Sequence, residues 1–294
     1  MAEQNERRRF GDRKDGRLLR SMSPLYRLTP YLIPRLADAG AYYTDTAEIS
    51  GMEDWLREKR KDGWQSLSLL HVFLAAYVRT VSEFPELNRF VSGQRLFARY
   101  QIEVVLVGRR EPKSLADDVI VKLRLDPFDT VYDIYHKLAQ KSESLRAGED
   151  TGSLERSIFN LLIFPGVTLK FVLWLLRTLD YLNLLPAGLL EKSPFHGSLA
   201  ITSMESAGAR PYGHPLYPLG NLPLYITVGA RRRVQTLNGA GEPAERVYLD
   251  FQSTVDSRVV DGYAWAAAMK QFREYLQNPR LLEHRPEQVT EDVF

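Results

Sequence analysis

Val255-Asp-Ser-Arg-Val-Val-Asp-Gly262 is the stretch on which the reading of the fold turns. It separates a run of β-formers, Arg246 to Val255, from a pattern of apolar residues at helical spacing that continues to Leu276. The sequence therefore predicts a strand, a tight loop and a final helix opened by Asp261-Gly262. Asn278-Pro279 ends that helix, because a residue before proline is pushed out of the helical region. Working back, Asn238-Gly239-Ala240-Gly241 predicts a turn that joins Arg232 to Leu237 with Arg246 to Val255 as a hairpin. Ser198 to Ser203 and Leu224 to Val228 read as buried strands.

Towards the N-terminus, Tyr42 to Ile49 alternates as a strand does, and Gly51 to Lys61 is helical. Ser66 is expected to cap the next helix, whose apolar positions Leu69, Leu70, Phe73, Leu74 and Tyr77 recur at helical spacing before Pro85. Short strands are expected at Phe90 to Val91, Leu96 to Tyr100, Ile102 to Val107 and Val119 to Leu125. After Pro127 comes a helical pattern through Val131, Ile134, Leu138 and Leu145. Without regular βαβ alternation, GxGxxG or Walker sequence, the order predicts an α+β two-layer sandwich.

The most apolar stretch runs from Ile158 to Leu190 and includes Phe171-Val-Leu-Trp-Leu-Leu176. Lys170, Arg177 and Asp180 interrupt it, so a transmembrane span is not expected. One or two helices buried in the core or at a subunit interface is the expected arrangement; an interfacial membrane helix or a helix lining an acyl chain are the alternatives.

The chain has 294 residues, 44% of them hydrophobic and 26% charged, enough to bury a sizeable core in one large domain. A formal charge of +2 supplies no field for nucleic acid, and no nucleic-acid partner is expected. Cysteine is absent, which excludes disulfides, thiolate metal sites and a cysteine nucleophile, and no metal is expected. Residues 1–16 are polar and read as a solvated arm; with no apolar leader segment, the cytoplasm is the expected location.

In Val255 to Gly262, the residues Asp256, Arg258, Val259, Val260, Asp261 and Gly262 match the Asp-His-Arg-X-X-Asp-Gly signature of the 2-oxoacid dehydrogenase acyltransferase catalytic domain, and Ser257 stands where that signature has histidine. Three further segments resemble the same family in the right order: Phe84-Pro-Glu-Leu-Asn-Arg-Phe90, Gly197-Ser-Leu-Ala-Ile-Thr-Ser203 and Leu224 to Ala230. The similarity spans residues 17–283, with an apolar helical insertion at about 158–190 and a tail at 284–294. It implies the chloramphenicol acetyltransferase-like fold and a homotrimer with active sites at subunit boundaries. The reaction it implies is acyl transfer between coenzyme A and a thiol or other acceptor. Coenzyme A, or acyl-coenzyme A, is thus expected as a substrate. No lipoyl attachment site is present, so a lipoyl or acyl carrier domain would have to come from a partner, and a paralogous acyltransferase is a second candidate partner. Gly108 to Leu115 departs from the family's Gly-Leu-X-Thr-Pro segment.

By this resemblance Thr202 is the hydroxyl that hydrogen-bonds the oxyanion, and Asp261 is a structural carboxylate with Arg17 or Arg20 as its partner. Ser257 cannot replace an imidazole, since a hydroxyl does not titrate near neutral pH. Either the chain is a non-catalytic trimeric scaffold, a pseudoenzyme that partners an active paralogue, or another histidine supplies the base. Of His71, His136, His196, His214 and His284, the first reads as a core residue and His136 and His284 as surface residues. His196 and His214 flank the Thr202 strand in loops, and His214 is the preferred base.

Overall fold

The computed structural model describes residues 9–109, 118–146, 163, 165–237, 239 and 241–293. Most of the Gly108 to Leu115 segment, and the first residues of the apolar stretch, lie outside the described residues, as do Asn238 and Ala240 of the hairpin turn.

Two sheets form. The smaller is antiparallel, in the order β1 (Gly16–Leu18), β4 (Arg95–Arg99), β3 (Arg89–Ser92). The larger has six strands, in the order β2 (Gly40–Glu48), β9 (Pro243–Asp256), β8 (Leu224–Leu237), β7 (Leu199–Ser203), β5 (Ile102–Arg109), β6 (Asp118–Leu125). β7 is parallel to both of its neighbours, and every other pairing is antiparallel.

The alternation of side chains across a pleated sheet assigns the two faces. Val104, Leu199, Ile201, Leu224, Ile226 and Val228 join the main core, against helices that include α3 (Leu69–Glu83), α4 (Val131–Arg146) and α7 (Gly262–Gln277). Their sequence neighbours Val105, Ala200 and Tyr225 belong to a second, smaller cluster on the opposite face. That opposite face carries Thr202 and Tyr225.

Several boundaries differ from the sequence expectation for identifiable reasons. Ser68, not Ser66, opens α3: it forms a capping box in which its side chain meets the His71 backbone and His71 Nδ1 accepts the Ser68 N–H at 3.1 Å. Leu224 to Leu237 is one strand rather than two, because Gly229 and Ala230 are absorbed in a register shift between Val228 and Arg231 against β9. An unforeseen helix, α1 (Pro24–Leu32), contains Pro30, close enough to its end that little helix is lost. α2 covers Ser50–Lys61.

The polar arm is not wholly solvated. Arg13 is 2% exposed; its guanidinium binds Asp15 at 2.8 Å, Ser92 Oγ at 2.6 Å and Asp180 Oδ1 at 2.7 Å. Asp15 also meets Arg99 at 3.7 Å and the Asn221 amide at 2.9 Å. Burial opposes the Asp15 charge, but Arg99 and Arg13 outweigh it and hold the carboxyl down at about 2. A buried cation survives here because its partners arrive from three separate segments, at Asp15, Ser92 and Asp180.

The apolar stretch forms α5 (Gly166–Tyr181) and α6 (Ala187–Lys192). The intramolecular core does not take up this stretch whole: Val167, Phe171 and Trp174 are exposed on the single chain, at 81%, 58% and 58%. The C-terminal end of α5 is tied to the body through Asp180 and Arg13. No helix among the described residues is long and apolar enough to cross a membrane.

Candidate active site

Thr202 lies on β7, on the face away from the main core, in register between Val107 of β5 and Thr227 of β8. Its Oγ1 is 2.7 Å from the hydroxyl of Tyr225 on β8. Burial raises the Tyr225 phenol to about 12 and the Thr202 hydrogen bond only partly offsets this, so the phenol keeps its proton at neutral pH.

The imidazole of His214 stacks on the Tyr225 ring, with centroids 3.9 Å apart and planes 6° apart. His214 is half-buried in the loop between β7 and β8. Its Nδ1 is 2.8 Å from the Pro215 carbonyl, which can only accept, so Nδ1 carries the proton. Nε2, 3.3 Å from the Tyr217 hydroxyl, then presents a lone pair. Two of the residues singled out in the sequence, Thr202 and His214, are thereby joined through a tyrosine that was not singled out.

The loop that brings His214 in is held by close backbone packing. Gly220 has φ +82°, and a Cβ there would stand 2.1 Å from the Phe195 carbonyl oxygen, so no other residue fits without displacement. Phe195 in turn meets Tyr217 edge to face at 5.5 Å. A cavity of about 1140 Å³ opens over this face, lined by Thr202, Tyr225, His214 and His196 among others. His196 is 4% exposed; its Nδ1 is 2.8 Å from Ser193 Oγ, and its Nε2 is 3.5 Å from Asp180 Oδ1.

Ser257 is elsewhere. It is exposed, its N–H donates to the Ala39 carbonyl at 2.9 Å, and it does not line the cavity. Beside it, Asp256 and Arg258 are 1% and 4% exposed and form a two-pronged pair, Nε to Oδ1 at 2.8 Å and Nη2 to Oδ2 at 2.7 Å. Asp261 caps α7 by accepting the Ala264 N–H at 2.8 Å and also meets the Tyr26 hydroxyl; the Ala264 bond comes first in lowering its pKa. Neither arginine expected beside Asp261 is there. Arg20 pairs with Asp12 at 2.9 Å, and Arg17 donates to the Asp292 and Val293 carbonyls. The arginine-held carboxylate of this loop is Asp256. Sequence spacing could have suggested it, since Asp256 and Arg258 are two residues apart.

His71 and His136 sit on the helical layer; His136 is exposed against Trp64, and His284 is exposed near the C-terminus. No group of His, Cys, Asp and Glu able to hold a metal ion occurs among the described residues.

No protein-family model matches the chain, and no curated protein matches it in sequence. Solved structures do match. The cubic core of the pyruvate dehydrogenase multienzyme complex is similar at 14% identity and TM-score 0.58, over 93% of this chain and 95% of that one. The dihydrolipoamide acetyltransferase of Azotobacter vinelandii is similar at 15% identity and TM-score 0.58, over 93% and 95%. A chloramphenicol acetyltransferase is similar at 11% identity and TM-score 0.55, over 89% and 99%. The chain has the α+β fold that these acyltransferase catalytic domains share.

Proposed function

We propose that the protein is an acyltransferase that moves an acyl group from coenzyme A to a thiol or other acceptor, with His214 as the relocated base and Thr202 as the oxyanion donor. One observation carries this reading: the Thr202 hydroxyl, the Tyr225 phenol and the His214 ring are linked on the wall of one large cavity.

The chemistry follows from the protonation pattern. The acceptor's proton passes to His214 Nε2 as the acceptor forms a bond to the acyl carbon. The carbonyl oxygen takes up negative charge and is hydrogen-bonded by Thr202, whose hydroxyl is oriented by Tyr225. Collapse of the intermediate breaks the carbon–sulfur bond, and the imidazolium returns the proton to the departing thiolate. Tyr217 leaves Nε2 as the acceptor arrives; its 3.3 Å contact is a long one.

The second reading, a non-catalytic trimeric scaffold, is favoured by Ser257 itself: the loop keeps its buried Asp256–Arg258 pair but has no titrating group at the histidine position. Transfer of acyl groups from a panel of coenzyme A thioesters to dihydrolipoamide and simple thiols, followed by thiol release, separates the two. His214→Ala is expected to lower kcat by about a hundredfold to ten-thousandfold, the usual worth of a positioned base, with Ser257→Ala silent. An inactive wild-type protein that gains turnover only with Ser257→His establishes the scaffold instead.

A further inference from the structure

The cavity is far larger and far more apolar than removal of one proton and stabilisation of one oxyanion require. We infer that it is a chamber for a medium or long linear acyl chain, so that the substrate is a fatty acyl thioester. This inference rests on the acyl-transfer reading and names its substrate.

Its volume, about 1140 Å³, is just above the usual run of ligand sites, roughly 300 to 1,000 Å³. Leu169, Leu173 and Leu176 on one side of α5 face Val105, Val107 and Ala200 of the sheet across it. Spacing explains the roof: positions 169, 173 and 176 share one helix face. The exposed Val167, Phe171 and Trp174 occupy another, so α5 is apolar on two sides. A second copy or a membrane can cover the outer side, but neither fills the chamber beneath. Among the described residues nothing fills it, and a molecule that enters it removes that inner surface from water.

The polar groups narrow the class. Thr202, Tyr225 and His214 lie together on this wall, where the thioester carbonyl must sit for reaction. Arg177 and Lys192 also border the cavity and are exposed, and neither has an ion-pair partner among the described residues. Two open cations suit the phosphates of coenzyme A. An apolar chain, one reactive carbonyl and an anionic carrier together describe a fatty acyl-coenzyme A.

Binding can be measured apart from transfer. Titration calorimetry with acetyl-, octanoyl- and dodecanoyl-coenzyme A, and with free dodecanoate, reads the chamber directly. Affinity is expected to rise with chain length. Leu173→Trp, which fills the space under α5, should weaken dodecanoyl-coenzyme A at least tenfold and leave acetyl-coenzyme A unchanged. Ala200→Phe, from the opposite wall, should likewise weaken dodecanoyl-coenzyme A. Arg177→Glu with Lys192→Glu should weaken the coenzyme A thioesters and spare dodecanoate. Affinity that is independent of chain length, or insensitive to both filling variants in folded protein, overturns the chamber even if acetyl transfer is efficient. Preference for a compact aromatic probe such as anilinonaphthalene sulfonate over every chain also overturns it. Chain-dependent binding with no transfer to any acceptor upholds the chamber and removes the acyl-transfer reading.

Discussion

The His214 ring lies flat on Tyr225, 3.9 Å between centroids and 6° between planes, while the Tyr225 hydroxyl holds Thr202 at 2.7 Å. Tyr225 thus orients two groups at once, one through its face and one through its edge. Tyr225→Phe keeps the stacking and removes the hydrogen bond, so it should lower kcat about tenfold with little change in KM. Thr202→Val removes the donor itself and should cost about a hundredfold, the scale of a lost oxyanion donor. Steady-state kinetics of both variants check the order; equal losses would show that Tyr225 acts by more than orientation.

Asp256 and Arg258 are predicted to be a stability pair rather than a catalytic one. Both are buried, and Arg258 also reaches the Ile33 carbonyl at 3.2 Å, so the pair ties the loop before α7 to the segment after α1. Asp256→Asn leaves a buried guanidinium without its counter-charge and should cost about 3–5 kcal/mol in urea unfolding. A loss below about 1 kcal/mol would mean that water or another acceptor replaces the carboxylate.

Acid should weaken the fold through His71. Burial pushes its imidazole down to about 4, against 6.5 when unfolded. Between those values the unfolded chain binds the proton and the folded chain does not, so stability falls as pH drops from about 6.5 to about 4. His71→Gln retains an acceptor for the Ser68 N–H, and the slope of unfolding free energy against pH across that window should flatten. An unchanged slope would assign acid sensitivity to other groups.

A homotrimer is predicted from α1, which presents Leu25, Leu28 and Leu32 to solvent at 70%, 49% and 67% exposure. Such a stripe marks an interaction surface. Light scattering coupled to size exclusion should give three copies, and Leu28→Asp should shift the mass towards one. A wild-type monomer at micromolar concentration would remove the trimer.

The strands and helices around Val255 to Gly262 were legible because two periodicities change over within a few residues there, and Asp261 does cap α7 as its position suggests. The joining of Thr202 to His214 was not, because it depends on Tyr225, whose place in an apolar strand reads as simple burial. Arg13 was misread for a related reason. Charge counted along the chain cannot reveal a partner such as Asp180, 167 residues away. α1 was not among the expected elements; Pro24 stands at its first turn, where proline is favourable, and Pro30 comes late enough to be tolerated.

The place of β7 in the sheet has a kinetic consequence. Ser198 and Glu103 exchange backbone and side-chain bonds across a separation of 95 residues, and β7 pairs on its other side with β8. Non-local parallel pairing must meet the entropy of closing a long loop before its contacts repay it. Until β7 arrives, β5 and β8 both carry open edges rich in valine, isoleucine and leucine, the kind of surface that joins other chains. Refolding should therefore be slow and should lose yield as protein concentration rises, and the strand that bears Thr202 should be among the last to become protected from hydrogen exchange.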